Sequence, residues 1–192
     1  MDDNFLETLR RVGALKEGHF LLSSGRHSDR YIEKFDLLRQ PQATEAACRS
    51  VAERFADAGI DIVVGPTTGG ILLAFEVARQ LGTSAAYAER EEGSKRRVFR
   101  RGQAFRPGER VLLVDDILTT GGAVRDTLAA LAAQPATLAG IAVLVDRSGG
   151  AVTFDTPLFA LATVEVATWE PADCPLCAAG VPLVKPGTTP GV

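Results

Sequence analysis

The sequence predicts an α/β fold: a mostly parallel central sheet flanked by helices, with a small N-terminal hood. Three observations predict it. Short apolar runs alternate with helical patterns through most of the chain, which indicates parallel strands joined by helices on both faces. Four of the runs end in unusual polar stretches, "GPTTGG", "ERE", "DDILTTGG" and "DRSGG", and a parallel sheet gathers its ligand site outside its C-terminal strand ends. The chain has 192 residues, 46% of them hydrophobic and 23% charged. That suits one domain able to bury about 70% of its unfolded surface.

Each element follows from local pattern. Residues 3–12 form a short amphipathic helix with Phe5, Leu6, Leu9 and Val12 on one side. "HFLLSSGRHSDRYIEKFDLL" holds two strand-like runs around a polar Ser-Ser-Gly-Arg turn. Pro41 opens a helix near 42–57, with Ala47, Val51 and Phe55 on its inner face, and Gly59 ends it. "DIVVG" is a buried strand broken by "PTTGG", and a helix over 71–81 closes on Gly82. "SAAYAE" is a strand, and "RVLLVDD" is the most apolar one. A helix over about 123–133 follows, then the strands "LAGIAVLVDR" and "PLFALATVEV". The tail at 170–192, rich in Pro and Gly, reads as irregular.

Composition excludes several classes. A net charge of −3 argues against a nucleic-acid-binding surface over the whole molecule. No apolar run is long enough to span a bilayer, and the acidic "MDDNFLETLRR" is no signal peptide, so a cytoplasmic protein is expected. Cys48 sits in a helical pattern as a small buried residue. Cys174 and Cys177 form "CPLC", half of a zinc knuckle by spacing. The only histidines, His19 and His27, lie far upstream, so the second half is missing unless subunits share a site, and the purpose of the pair stays open.

The motif with the clearest chemistry is "VDDILTTGGA". Two glycines before a helix let backbone N–H groups turn inward, the way phosphates are held, and the threonine hydroxyls add donors. Gly-Gly could simply make a tight turn, but Asp115 and Asp116 weigh against that, since carboxylates at a buried strand end need partners. A sugar phosphate satisfies both halves, with hydroxyls on the acids and phosphate in the loop. The rival nucleotide fingerprints, G-x-G-x-x-G after the first strand and G-x-x-x-x-G-K-[ST], are missing.

"VLLVDDILTTGGA", residues 111–123, resembles the phosphoribosyl diphosphate signature of the type I phosphoribosyltransferases. "GALKEGHFLLSSGRHSDRYIEK", residues 13–34, is similar to the hood of the orotate phosphoribosyltransferases, and "VDRSGG" falls where that family places an arginine for the base carboxylate. The resemblance spans roughly residues 13–168. It implies a single domain over 1–192, with the hood at about 13–38 and a basic mobile loop at about 89–106. It implies that Asp115 and Asp116 hold the ribose hydroxyls, and that Ile117, Leu118, Thr119, Thr120, Gly121, Gly122 and Ala123 carry the 5-phosphate loop. Thr67, Thr68 and Gly69 would receive the diphosphate together with Arg90. Tyr31, Ile32, Thr119 and Arg147 would contact orotate. Mg²⁺ is implied as cofactor, held mainly by substrate and water, and a homodimer as the assembly.

The loop departs from the family pattern. Between Arg90 and Arg106 there are seven Lys or Arg against two Glu, in a chain that is otherwise acidic, but the family's His-Gly pair is absent. Lys95 is the catalytic cation expected, with Arg96 and Arg97 as competitors, and a solvated basic hairpin as the bland reading. The resemblance implies transfer of a phosphoribosyl group from phosphoribosyl diphosphate to orotate, in pyrimidine biosynthesis, with no nucleic-acid or membrane partner. The alternatives are a transferase for a purine or uracil, and a non-catalytic regulator that senses phosphoribosyl diphosphate.

Overall fold

The structure is a computed structural model and describes residues 2–94 and 96–186. Its centre is a six-stranded sheet in the order β5-β4-β3-β6-β7-β8. β3 (Ile62–Pro66), β4 (Ser84–Arg90), β6 (Arg110–Leu118), β7 (Thr137–Asp146) and β8 (Leu158–Thr163) run parallel to their neighbours. Only the two-residue edge strand β5 (Arg97–Val98) is antiparallel, against β4. From β3 the chain adds β4 on one side, then returns to place β6 on the other. The strand order therefore reverses between β3 and β6, where an open α/β sheet has its crevice.

Strand alternation sorts the core into two layers. Val63, Leu112, Val114, Ala142 and Leu144 face one side, packed with residues of α1 (Asp2–Arg11), α3 (Pro41–Arg54) and α4 (Gly69–Leu81). Val64, Val111, Leu113, Ile141 and Val143 face the other, against Val124 and Leu131 of α5 (Gly122–Leu131). α1 buries Phe5 and Leu9 as its pattern requires. α3 has Pro41 at its first turn, and α4 ends on Gly82 in the left-handed conformation. α3 stops at Arg54, because Phe55 leaves helical geometry four residues before Gly59.

The hood is a second, three-stranded sheet of β1 (Leu15–Leu21), β2 (His27–Ile32) and β9 (Thr168–Trp169), all antiparallel. A short helix α2 (Lys34–Leu38) carries the chain from the hood into the core and buries Leu37 and Leu38. β9 belongs to the end of the chain, so the hood is built from both termini, which local pattern in the N-terminal segment did not indicate. The tail read as irregular makes a 3₁₀ turn at Pro171–Asp173 and a one-turn helix α6 (Pro175–Ala178). It then lies along β1, with Val184 N–H donating to His19 O and Leu21 N–H donating to Val184 O. Among the described residues no helix is long and apolar enough to cross a membrane.

Candidate active site

The four polar strand ends converge. Leu118 of β6 pairs in register with Asp146 of β7, which sets Thr119 beside Arg147. Arg147 N–H donates to Leu118 O at 2.8 Å, locking that approach. Pro66 of β3 pairs with Ala88 of β4 and brings "PTTGG" alongside.

Asp115 and Asp116 are both buried, at 6% and 5% exposed. As neighbours on a strand they leave opposite faces of the sheet. Asp116 points to the α2 and α4 side, where Lys34 Nζ lies 2.9 Å from its Oδ2. That contact has ion-pair distance but poor hydrogen-bond angle, so Oδ2 keeps an unused acceptor. Gly69 makes room for it: a Cβ there would overlap Asp116 Oδ2 and press on Leu38. Lys34 approaches the acid from the hood side. Sequence reasoning gave Lys34 no role, although it ends the quoted hood segment.

Asp115 keeps one hydrogen bond, from the Asp116 N–H to its Oδ1 at 2.8 Å. Burial pushes its carboxyl up to about 7, helped by the negative charge of Asp116 and opposed by that hydrogen bond, Lys34 and Arg97. A carboxyl so placed is stabilised as an anion by any donor or cation that enters.

On the other side of β3 stands Arg97, 6% exposed. Its Nη1 donates to Thr67 Oγ1 at 3.1 Å and to Ala88 O at 3.0 Å, while its Nε is buried without a partner. Burial lowers its pKa, and the nearby charge of Arg90 lowers it further. Of the loop cations weighed from sequence, Arg97 is the one seated against "PTTGG". Arg90 and Arg96 are exposed, and Lys95 lies outside the described residues. The basic segment also has a small apolar anchor, with the Phe99 and Phe105 rings edge-on at 4.7 Å.

The loop after β6 meets the description of an anion cradle. Gly121 caps α5 in the left-handed conformation, and no side chain caps the first-turn N–H groups. A Cβ at Gly121 would meet Arg125 Nη1 at 2.6 Å and Val152 Cγ1 at 2.8 Å, so glycine is required there by both space and conformation. The α5 first turn carries no acidic residue, leaving the helix N-terminus free to attract phosphate. Thr119, Thr120 and Gly122 are exposed at its mouth.

Thr119 and Thr120 share a cleft of about 580 Å³ with Tyr31, Arg147, Leu22 and Arg26. Arg147 Nε is buried with no partner, and among the described residues no carboxylate forms an ion pair with this guanidinium. Burial lowers its pKa, and the facing Tyr31 phenol only partly offsets that. Tyr31 in turn is raised, by burial first and Glu33 next. The cleft thus presents an unneutralised planar cation at one end and a phosphate-type loop at the other.

Ile32 is a correction. It follows Tyr31 on β2, so its side chain takes the opposite face and is buried in the main core at 4% exposed. Leu118 is likewise a core side chain and can meet a ligand only through its backbone, whereas Ile117 is half-buried, packed against the core.

An acidic strand end paired with an anion-cradle loop at a sheet's switch point is the arrangement expected of a sugar-phosphate site. Residues 36–175 match the family model described as phosphoribosyl transferase domain. A curated relative named orotate phosphoribosyltransferase, from Pelotomaculum thermopropionicum, is 47% identical over 186 residues, 97% of each chain. One of the same name from Heliobacterium modesticaldum is 45% identical over 188 residues, again 97% of each. Among solved structures, orotate phosphoribosyltransferase from Aeropyrum pernix superposes with a TM-score of 0.68 at 29% identity, over 82% of this chain and 92% of that one. The chain belongs to the phosphoribosyl transferase family and, within it, to the orotate phosphoribosyltransferases.

Proposed function

We propose that the chain transfers the 5-phosphoribosyl group of phosphoribosyl diphosphate to orotate, giving orotidine 5-phosphate and diphosphate. The observation that carries the choice of base is Arg147: a half-buried guanidinium in the cleft with its Nε buried and unpartnered, facing Tyr31, with no carboxylate of the described chain in an ion pair with it. Orotate brings a carboxylate that a guanidinium grips with two parallel charge-assisted hydrogen bonds. Uracil and the purines bring none. The curated relatives' shared name supports the same reading.

In the reaction the deprotonated ring nitrogen of orotate bonds to C1 as the C1–O bond to diphosphate breaks. The diphosphate leaves with the electron pair. Positive charge grows on the ribose, and Asp115 and Asp116 face it with negative charge from the end of β6. Thr119, Thr120, Gly121, Gly122 and Ala123 hold the 5-phosphate, so the sugar is clamped at both ends while C1 reacts. Thr67, Thr68 and Gly69, backed by Arg97 and Arg90, receive the diphosphate. Lys95, outside the described residues, is the loop cation we assign to the leaving group, and closure of the loop would keep water from C1. Two buried carboxylates, one with an unused acceptor oxygen, fit a hard cation close by. Mg²⁺, held mainly by diphosphate and water, would supply neutralising charge there.

A homodimer is supported by α2 and α4, which touch and leave Phe35, Leu72 and Phe75 exposed at 43%, 46% and 65%. Three free cysteines among the described residues suit the reducing cytoplasm. An ultraviolet assay with phosphoribosyl diphosphate, Mg²⁺ and each of orotate, uracil, hypoxanthine and adenine tests the reaction. Orotate alone should be consumed, and equal turnover of uracil would overturn the assignment.

A further inference from the structure

We propose that the chain carries a structural zinc site, built from His19, His27, Cys174 and Cys177, that staples its C-terminal tail to the hood. The four residues come from β1, β2 and the start of α6, and their donor atoms all lie within 4.8 Å of one another. His19 Nε2 and His27 Nδ1 are 3.0 Å apart. Cys174 Sγ is 3.4 Å from His19 Nε2. Cys177 Sγ is 3.8 Å from that atom and 3.3 Å from His27 Nδ1. Tetrahedral Zn²⁺ with its usual bond lengths demands edges of ~3.4 Å for N···N, ~3.6 Å for N···S and ~3.8 Å for S···S. Each of these four edges lies within about 0.4 Å of that figure and the other two are no longer than 4.8 Å, so the ion fits with side-chain adjustment.

The surroundings are those of a metal ligand set. His19 Nδ1 lies 2.8 Å from the Val181 carbonyl, so it carries the ring proton and leaves the Nε2 lone pair facing the cluster. His19, His27 and Cys174 are 2%, 5% and 3% exposed and Cys177 is exposed, and four protein donors fill the tetrahedron, which leaves no coordination position for substrate. Two thiolates and two imidazoles, with two residues between the cysteines, are a zinc donor set of the closed, structural kind. On binding, both thiols release their protons to solvent, and the two thiolate charges cancel that of the ion.

The tail needs such a clamp. Among the described residues beyond Val164, Cys174 is the only buried one. Val181, Leu183 and Val184 are exposed, and a helix of four residues has no stability of its own. Other contacts that fasten the tail are polar, among them the two Val184 backbone bonds to β1, His19 with the Val181 carbonyl, and Arg26 with Glu170 and Thr168. The same segments wall the cleft, through Leu21, Leu22, Arg26 and Pro186. The ion would therefore hold one wall of the orotate pocket without touching substrate.

Full-length protein, produced untagged in zinc-supplemented medium, should contain about one zinc per chain by plasma mass spectrometry. Zinc-edge absorption should report two sulfur and two nitrogen neighbours. The Cys174→Ser/Cys177→Ser double variant should lose the metal, and stripped protein should be cleaved in the tail on the order of tenfold faster by protease. So that the result does not depend on the folding of that variant, wild-type protein is also stripped, reduced and titrated with Co²⁺. Tetrahedral thiolate absorption saturating at one equivalent supports the site. Metal-free protein that takes up neither ion, a Cys174–Cys177 disulfide that persists in reducing buffer, or unchanged tail cleavage after stripping would each overturn the proposal.

Discussion

Replacing Asp115 by asparagine should change how stability depends on pH, in a direction set by its burial. Asp115 has its carboxyl pushed from 3.8 up to about 7 by burial and by Asp116. The folded chain thus holds a proton there that the unfolded chain gives up from about pH 4 upward. Between those values the native state binds more protons than the unfolded state, so stability falls as pH rises, and the loss is complete once pH passes about 7. At about 1.4 kcal/mol per pH unit, the two units crossed between pH 5 and pH 7 set a ceiling of roughly 3 kcal/mol. Asparagine keeps the acceptor oxygen for the Asp116 N–H and carries no charge, so the advantage of the ligand-free variant over wild type should grow from pH 5 to pH 7 and level off above that. Urea unfolding at pH 5, 6, 7 and 8, both proteins without ligand, measures the difference. Parallel stability profiles, or a wild type that gains on the variant as pH rises, would refute the reasoning. Binding carries the same linkage. Ribose hydroxyls donate to the carboxylate form, so affinity for phosphoribosyl diphosphate should climb up to about tenfold per pH unit below 7, with uptake of ligand releasing protons.

Two further outcomes follow from the same geometry. Gly69→Ala puts a methyl group where Asp116 Oδ2 sits; we expect a loss of about 1–3 kcal/mol in urea unfolding together with a raised KM for phosphoribosyl diphosphate, and an unchanged variant would show that the carboxylate moves freely. Lys95→Ala should lower kcat more than it raises KM, because a contact made only as the diphosphate departs accelerates the chemical step. Arg97→Ala, which removes the donor to Thr67, should instead raise KM for phosphoribosyl diphosphate, and steady-state kinetics that reverse this pattern would exchange the two roles.

The sheet was legible because its signals are local. A short apolar run such as "RVLLVDD", rich in β-branched residues and bounded by turn signals, reads as a strand buried on both faces, and Pro41 and Gly82 mark the start of α3 and the end of α4. Parallel pairing then brings distant strand ends together by rule, so Thr67, Asp115, Thr119 and Arg147 could be grouped before any coordinates. Local pattern was less informative where packing decides. α2 is five residues long, too short for a periodic signal, and it exists because Leu37 and Leu38 reach the core. Ile32 was placed in the cleft beside Tyr31, although strand alternation sends neighbouring side chains apart.

Contacts that no pairing rule predicts stayed hidden. Lys34 meets Asp116 across 82 positions because α2 turns the hood exit onto the end of β6, a matter of tertiary packing alone. The histidines and the "CPLC" cysteines are 150 to 158 positions apart where they touch. Sequence spacing identified one half of a ligand set and gave no reason to join it to the other. The link is β9, a two-residue strand added to β2, which carries the tail back over the hood. A pair so short has little stability alone, so the element that completes the hood and the cluster that would hold it depend on each other. Loss of the four-residue cluster should therefore be felt first at the hood wall of the cleft, while the parallel sheet that holds Asp115 and Asp116 stays intact.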